Sequence, residues 1–322
     1  MAIDNSNMLK VIEDFPHQCK TALDMAKGMS VSGKIDKIVV AGMGGSAIGG
    51  DLLKSYMHNL KIPVFVVRDY KVPDFVDENT LFFAVSYSGN TEETLSAFED
   101  ASRKKAKIVA VTSGGELAFK AKKVIKVPSG LQPRSALGYL FFPVLGVLSN
   151  SNIVDVKDTE IKEMLDVLSS KEDFKNIGQK IANKIQNKTP LVYSSGMFEA
   201  VAYRWKTQFN ENSKAPAFHH SFSELNHNEI VGYQNMNKSN FITIFIRDKD
   251  DDERIKKRME ITKEIISSRV EVEEVFTKGD FLLSRLFSGI YYGDFASYYL
   301  ALENKVDPSP VNVIENLKKK LK

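Results

Sequence analysis

The chain has 322 residues, 43% hydrophobic and 26% charged, with a net charge of +3 and one cysteine. A charge so small, from basic residues scattered except in the terminal KKKLK, argues against nucleic acid as the main partner, and no apolar stretch approaches the ~20 residues that span a bilayer. Cys19 alone excludes an internal disulfide and suits a reducing compartment, and the start MAIDNSNMLKVIEDF lacks a basic region leading into an apolar core, so a cytoplasmic chain without signal peptide or membrane partner is expected.

Residues 5–28 read as an amphipathic helix with Met8, Val11, Ile12 and Phe15 on one side, interrupted at Pro16. Strands and helices then alternate. KIVVAG (37–42), IPVFVVRD (62–69), TLFFAVS (80–86), KIVAVTS (107–113) and a short KVIKVPSG (123–130) read as strands, with helical patterns after the first, third and fourth. That rhythm predicts an α/β fold with a parallel sheet covered by helices on both faces. SALGYLFFPVLGVL (135–148), apolar on nearly every side, reads as a buried helix, and the polar SNSNIVDVKDTE (149–160) as the linker. Beyond it the plan restarts, with strands at PLVYSSG (190–196), FITIFIRD (241–248) and VEVEEVF (270–276), and a long apolar helix at LLSRLFSGIYYGDFASYYLALE.

Two turns in the first half attract chemistry. In VSYSGNTEETL (85–95), Ser86, Ser88, Gly89, Asn90 and Thr91 fill the step from a buried strand into a helix. Backbone N–H groups, a favourable dipole end and hydroxyls together suit an anion. An ordinary N-cap by Thr91 or Asn90 would need one hydroxyl, not several. The other turn, AGMGGSAIGGD (41–51), places Gly42, Gly44 and Ala47 at the spacing of a dinucleotide-binding loop. A dehydrogenase would leave the hydroxyl turn unexplained; the alternative is that Gly45 and Ser46 let a small sugar phosphate approach the backbone. Only the first half carries a hydroxyl turn, so one anion site per chain is expected.

GGSAIGGD with SYSGNTEETL resembles the sugar isomerase (SIS) domain. The whole chain is similar to the bifunctional phosphoglucose/phosphomannose isomerases, through TSGGELA (112–118), QPRSALGYL (132–140), QFNENSKAPAF (208–218), SELNHNEIVGY (223–233) and VDPSPVNVIENLK (306–318). The resemblance implies two SIS-type domains, residues 1–153 and 154–322, each a mainly parallel five-stranded sheet in a flavodoxin-like three-layer sandwich. It implies aldose–ketose isomerisation of a phosphohexose, without metal or cofactor, in a homodimer with shared active sites. Carried over by motif, Gly45 and Ser46 lie in the glycine turn and Ser86, Ser88 and Thr91 bind phosphate. Arg134 faces the reacting carbons, Glu211 is the base, His227 opens the sugar ring, and Lys318 is the C-terminal lysine of the site.

The residue types fit those roles. Moving a proton between C2 and C1 needs a carboxylate that takes and returns it. The negative enediolate needs a fixed cation, for which arginine's planar, permanently charged fork is suited. Histidine can shuttle the ring-opening proton near neutral pH. Blander readings stand beside these. Glu211 could be a solvated acid in a polar loop, Arg134 could pair with an acid, and His219, His220, Glu224, His227 and Glu229 could hold a metal, although no helical ligand spacing is present. A SIS-type sensor that binds a sugar phosphate without turning it over is the alternative function.

Overall fold

The strands of the computed structural model, which describes residues 3–236 and 240–321, follow the apolar runs of the sequence. In the first half these are β1 (Lys37–Ala41), β2 (Val64–Val67), β3 (Thr80–Val85), β4 (Lys107–Thr112) and β5 (Val124–Lys126), all parallel, in the order β2-β1-β3-β4-β5. Every residue of β3 is buried, as a central strand covered on both faces requires, whereas β2 lies at an edge and leaves Phe65 exposed. Phe82 packs with Val39, Ala84, Ala97, Phe98 and Leu117 on one side of this sheet. Burying a side chain of that size contributes about 1.5–3 kcal/mol. The strand order reverses between β1 and β3, and their carboxyl ends are where an open α/β sheet binds ligands.

The second half holds β6 (Thr189–Ser195), β7 (Phe218–Phe222), β8 (Phe241–Arg247) and β9 (Glu271–Phe276), again all parallel, in the order β7-β6-β8-β9. Five strands were expected here, and the sheet has four among the described residues. After β9 the chain enters the helix Leu282–Glu303, most of it buried, so the stretch that would supply a further strand is spent as core helix. Of the four, β7 escaped the sequence reading: FHHSF has three polar residues between two Phe at a sheet edge and no apolar run to betray it.

Two compact units result. One is Asp14–Asp166 with Phe281–Leu283; the other is the chain up to Glu13, Val167–Asp280 and the chain from Ser284 onward. The expected N-terminal helix is two helices, Met8–Glu13 and Phe15–Met25, parted at Asp14. Pro16 sits in the first turn of the second helix, where its missing N–H costs nothing. No helix among the described residues is long and apolar enough to cross a membrane.

Candidate active site

In the first unit the glycine turn follows β1 and opens the helix Gly45–Tyr56, with Gly45 and Ser46 both buried. A Cβ on Gly45 would lie 3.1 Å from the Arg134 Cα and from the Pro133 carbonyl oxygen, so glycine there lets the arginine loop close onto the turn. The hydroxyl turn follows β3. Ser86, 1% exposed, places its Oγ 2.9 Å from the Thr91 Oγ1 and accepts a hydrogen bond from the Gly89 N–H at 3.1 Å. Ser88 is exposed, and its Oγ accepts from the Asn90 N–H at 3.3 Å. Thr91 occupies the N-cap position of the helix Glu92–Arg103 but makes no side-chain cap bond. Its hydroxyl is held by Ser86 instead, so this is not the ordinary cap that would account for the motif.

Arg134 lies in the short turn Pro133–Ser135 and is 2% exposed. Two residues the sequence reading missed hold its loop. Gln18 spends both ends of its buried amide there, donating to the Ser135 carbonyl at 2.9 Å and accepting from the Gly138 N–H at 2.7 Å. Tyr87, between the two serines, donates to the Pro128 carbonyl at 2.8 Å and accepts from the Leu131 N–H at 2.9 Å. Burial pushes the Tyr87 phenol above its ordinary pKa, so it stays protonated as these bonds require. Gly45, Ser46, Ser86, Thr91 and Arg134 are thus brought together around the carboxyl ends of β1 and β3.

In the second unit Glu211 ends the helix Glu199–Glu211. Its helix is tied to the helix Leu282–Glu303 by a buried bidentate pair: Arg204 donates to Asp294 at 3.0 and 2.8 Å, and Gln208 donates to the same carboxylate at 3.0 Å. Past the helix end, Asn212 donates to the Ser297 hydroxyl at 3.0 Å and Ser213 to the Ser297 carbonyl at 2.6 Å. Half-buried Glu211 lines a cavity of about 690 Å³ with Lys214, Pro216, Asp307 and residues 310–314. Lys318, on the helix Asn312–Leu321 whose first residues reach this cavity, is exposed and does not line it.

His227 ends the turn Glu224–His227, is exposed, and has no hydrogen-bond or ion-pair partner among the described residues. It does not line the Glu211 cavity. The other histidines of the cluster diverge. His219 stacks on Tyr203 with ring centroids 4.9 Å apart, and burial, with Lys206 nearby, holds its pKa below the ordinary value. His220 sits 2.7 Å from Glu229. No three His, Cys, Asp or Glu side chains among the described residues gather as a metal ion would need.

The same stretches are matched in known proteins. A model of the SIS domain matches residues 34–136, and a model of the bacterial phospho-glucose isomerase C-terminal SIS domain matches residues 174–321. A bifunctional phosphoglucose/phosphomannose isomerase of Caldicellulosiruptor bescii is 45% identical over 98% of this chain and 98% of its own. One of Thermoplasma acidophilum is 43% identical over 96% of this chain and 97% of its own. Among solved structures, the C-terminal domain of a glucosamine-fructose-6-phosphate aminotransferase from Francisella tularensis matches with a TM-score of 0.72 over 95% of this chain and 98% of its own. At 17% identity that likeness is one of fold alone. Sequence identity sustained along almost the whole length of both chains decides the matter: this chain belongs to the family of bifunctional phosphoglucose/phosphomannose isomerases, α/β proteins of two SIS-type domains.

Proposed function

We propose that this chain is a cytoplasmic aldose–ketose isomerase, active as a homodimer with shared active sites, that interconverts glucose 6-phosphate and mannose 6-phosphate with fructose 6-phosphate. The observation that carries the reading is the convergence of glycine turn, hydroxyl turn and buried arginine at the carboxyl ends of β1 and β3. In this reading the N-terminal SIS domain, residues 1–153, binds the phosphate, and the C-terminal one, residues 154–322, supplies Glu211 and His227.

Ser86, Ser88 and Thr91 take the phosphate, with Gly45 and Ser46 lining its approach. His227 opens the ring: the O1 proton leaves, C1=O forms, the C1–O5 bond breaks, and O5 receives a proton. Glu211 then takes the C2 proton and returns it to C1, while the hydroxyl proton passes from O2 to O1, through an enediolate whose charge faces Arg134. Lys318 adds a cation from the last helix. C2 is oxidised and C1 reduced within one molecule, so the reaction balances without an external redox partner. Proton return to either face of C2 gives the two aldoses.

A coupled assay with EDTA present, offering fructose, glucose and mannose 6-phosphates in turn, tests the reading. Turnover of both aldoses, lost in Glu211→Gln while binding persists, is the expected result. Binding without turnover by the unaltered protein would overturn it in favour of a sugar-phosphate sensor.

A further inference from the structure

Glu229, His220, Tyr193 and Tyr233 form a hydrogen-bonded group that none of the steps above uses. Tyr193 of β6 and His220 of β7 are register partners on neighbouring strands, so their side chains emerge side by side. Glu229, two residues past His227, reaches both. One carboxylate oxygen accepts from the Tyr193 hydroxyl, and the other lies 2.7 Å from the His220 Nδ1. The Tyr193 and Tyr233 hydroxyls are 2.7 Å apart, and Tyr233 is 3.0 Å from the Thr243 Oγ1 on β8. Tyr193 and Tyr233 are buried to 0% and 2% exposure, and burial raises both phenols, Tyr233 to about 12, so each keeps its proton for these bonds.

The chain is also fixed on the near side of His227. Leu225 is fully buried, and the Asn226 amide donates to the Thr262 hydroxyl at 2.8 Å. Asn228 closes the turn locally, donating to Glu224 at 2.6 Å and accepting from the Glu229 N–H at 2.6 Å. His227 therefore stands exposed between two anchored flanks. The downstream anchor hangs on one carboxylate that spans two strands.

We infer that Glu229 is a positioning residue: by bridging Tyr193 and His220 it fixes the turn that presents His227, and so governs ring opening without taking part in the later proton transfer at C2. The inference rests on the reading of His227 as the ring-opening group. An exposed side chain on a short turn has no packing of its own to hold its direction. Holding the backbone on both sides is what limits its excursions, and small misplacements of a proton-transfer group are costly.

Exchange between the α and β anomers of glucose 6-phosphate opens and closes the ring without touching C2, and magnetisation-transfer NMR measures it. In Glu211→Gln this exchange should persist while isomerisation is lost. Adding Glu229→Ala should then slow the protein-dependent exchange by roughly tenfold or more. Adding Glu229→Gln, which keeps an oxygen for Tyr193 and an amide for His220, should restore most of it. Affinity for glucitol 6-phosphate, which has no ring to open, should change by less than about twofold, well under the tenfold that each 1.4 kcal/mol represents. Unchanged exchange in Glu229→Ala, or an equal loss of glucitol 6-phosphate affinity, overturns the inference. His227→Ala in the same background separates the two readings. Exchange that survives His227→Ala, or that is already absent in Glu211→Gln, refutes His227 as the ring opener and the inference with it. Exchange lost in His227→Ala but intact in Glu229→Ala refutes the role of Glu229 alone. Should Glu229→Ala not fold, Tyr193→Phe removes one of its two bonds and must still slow exchange selectively.

Discussion

Gly89 is held at φ +70°, and a Cβ there would lie 1.8 Å from the Gly114 carbonyl oxygen. A side chain at that position both adopts a conformation costing about 1–2 kcal/mol and pushes the hydroxyl turn off its neighbour. Gly89→Ala should raise KM about tenfold or more and lower the urea midpoint; an unchanged KM would detach this turn from substrate binding. Ser88→Ala with Thr91→Ala tests the hydroxyls themselves, each charge-assisted bond being worth about 1.5–3 kcal/mol, so KM should climb steeply while the fold survives. His219 supplies a pH dependence. Its folded-state pKa lies below the ordinary 6.5, so near and below that pH the unfolded chain binds a proton the folded chain refuses. Stability should therefore fall as pH drops from 7.5 to 5.5, and His219→Gln should flatten that fall in urea titrations. The turn that holds Ser86, Ser88 and Thr91 was legible in the sequence because its geometry is local, confined to one strand-to-helix step. Gln18 and Tyr87 were not, because what they hold lies 117 and 44 residues away. Glu229 was visible only as one acid in a histidine cluster, where metal binding was weighed and orientation was not.

The helix Glu199–Glu211 sets the direction of Glu211, and the Arg204–Asp294 pair sets the helix. Removing one partner of so buried a pair leaves the other charge stranded, which typically costs about 3–5 kcal/mol. Asp294→Ala should accordingly destabilise the protein far more than the double substitution Arg204→Met, Asp294→Leu, which strands no charge, the Gln208 amide losing its partner in both; equal losses in equilibrium unfolding would contradict this. The strands β1, β3, β4, β6 and β8 were legible since central parallel strands are nearly continuous apolar runs. The edge strand β7 was not, whereas the long apolar helix after β9 was. For β7, placement at a sheet edge decides what local pattern leaves open. The break at Asp14 is the reverse case, where Pro16 marked the spot and only its sense, a helix beginning, was unread.

For the whole molecule, the proposed homodimer with shared sites makes a sharp forecast. Chains carrying Glu211→Gln and chains carrying His227→Ala, each inactive alone, should regain about a quarter of normal activity when unfolded and refolded together, because half the statistical dimers are mixed and each of those has one intact site. No regain would place both groups on one chain. The division into units carries a consequence of another kind. The first helix, Met8–Glu13, is built into the unit that the end of the chain completes: Glu13 pairs with Lys175 at 2.6 Å, and Asn5 donates to Asp307 at 2.9 Å. Asp307 also lines the cavity beside Glu211. On a ribosome moving at roughly 5–20 residues per second, Asn5 waits tens of seconds for Asp307, made 302 residues later. The unit Asp14–Asp166 can form meanwhile, so birth order and assembly order differ. The cavity beside Glu211 is closed only once residues 306–314 have been made, and Asp307 on its wall then gains its bond from Asn5.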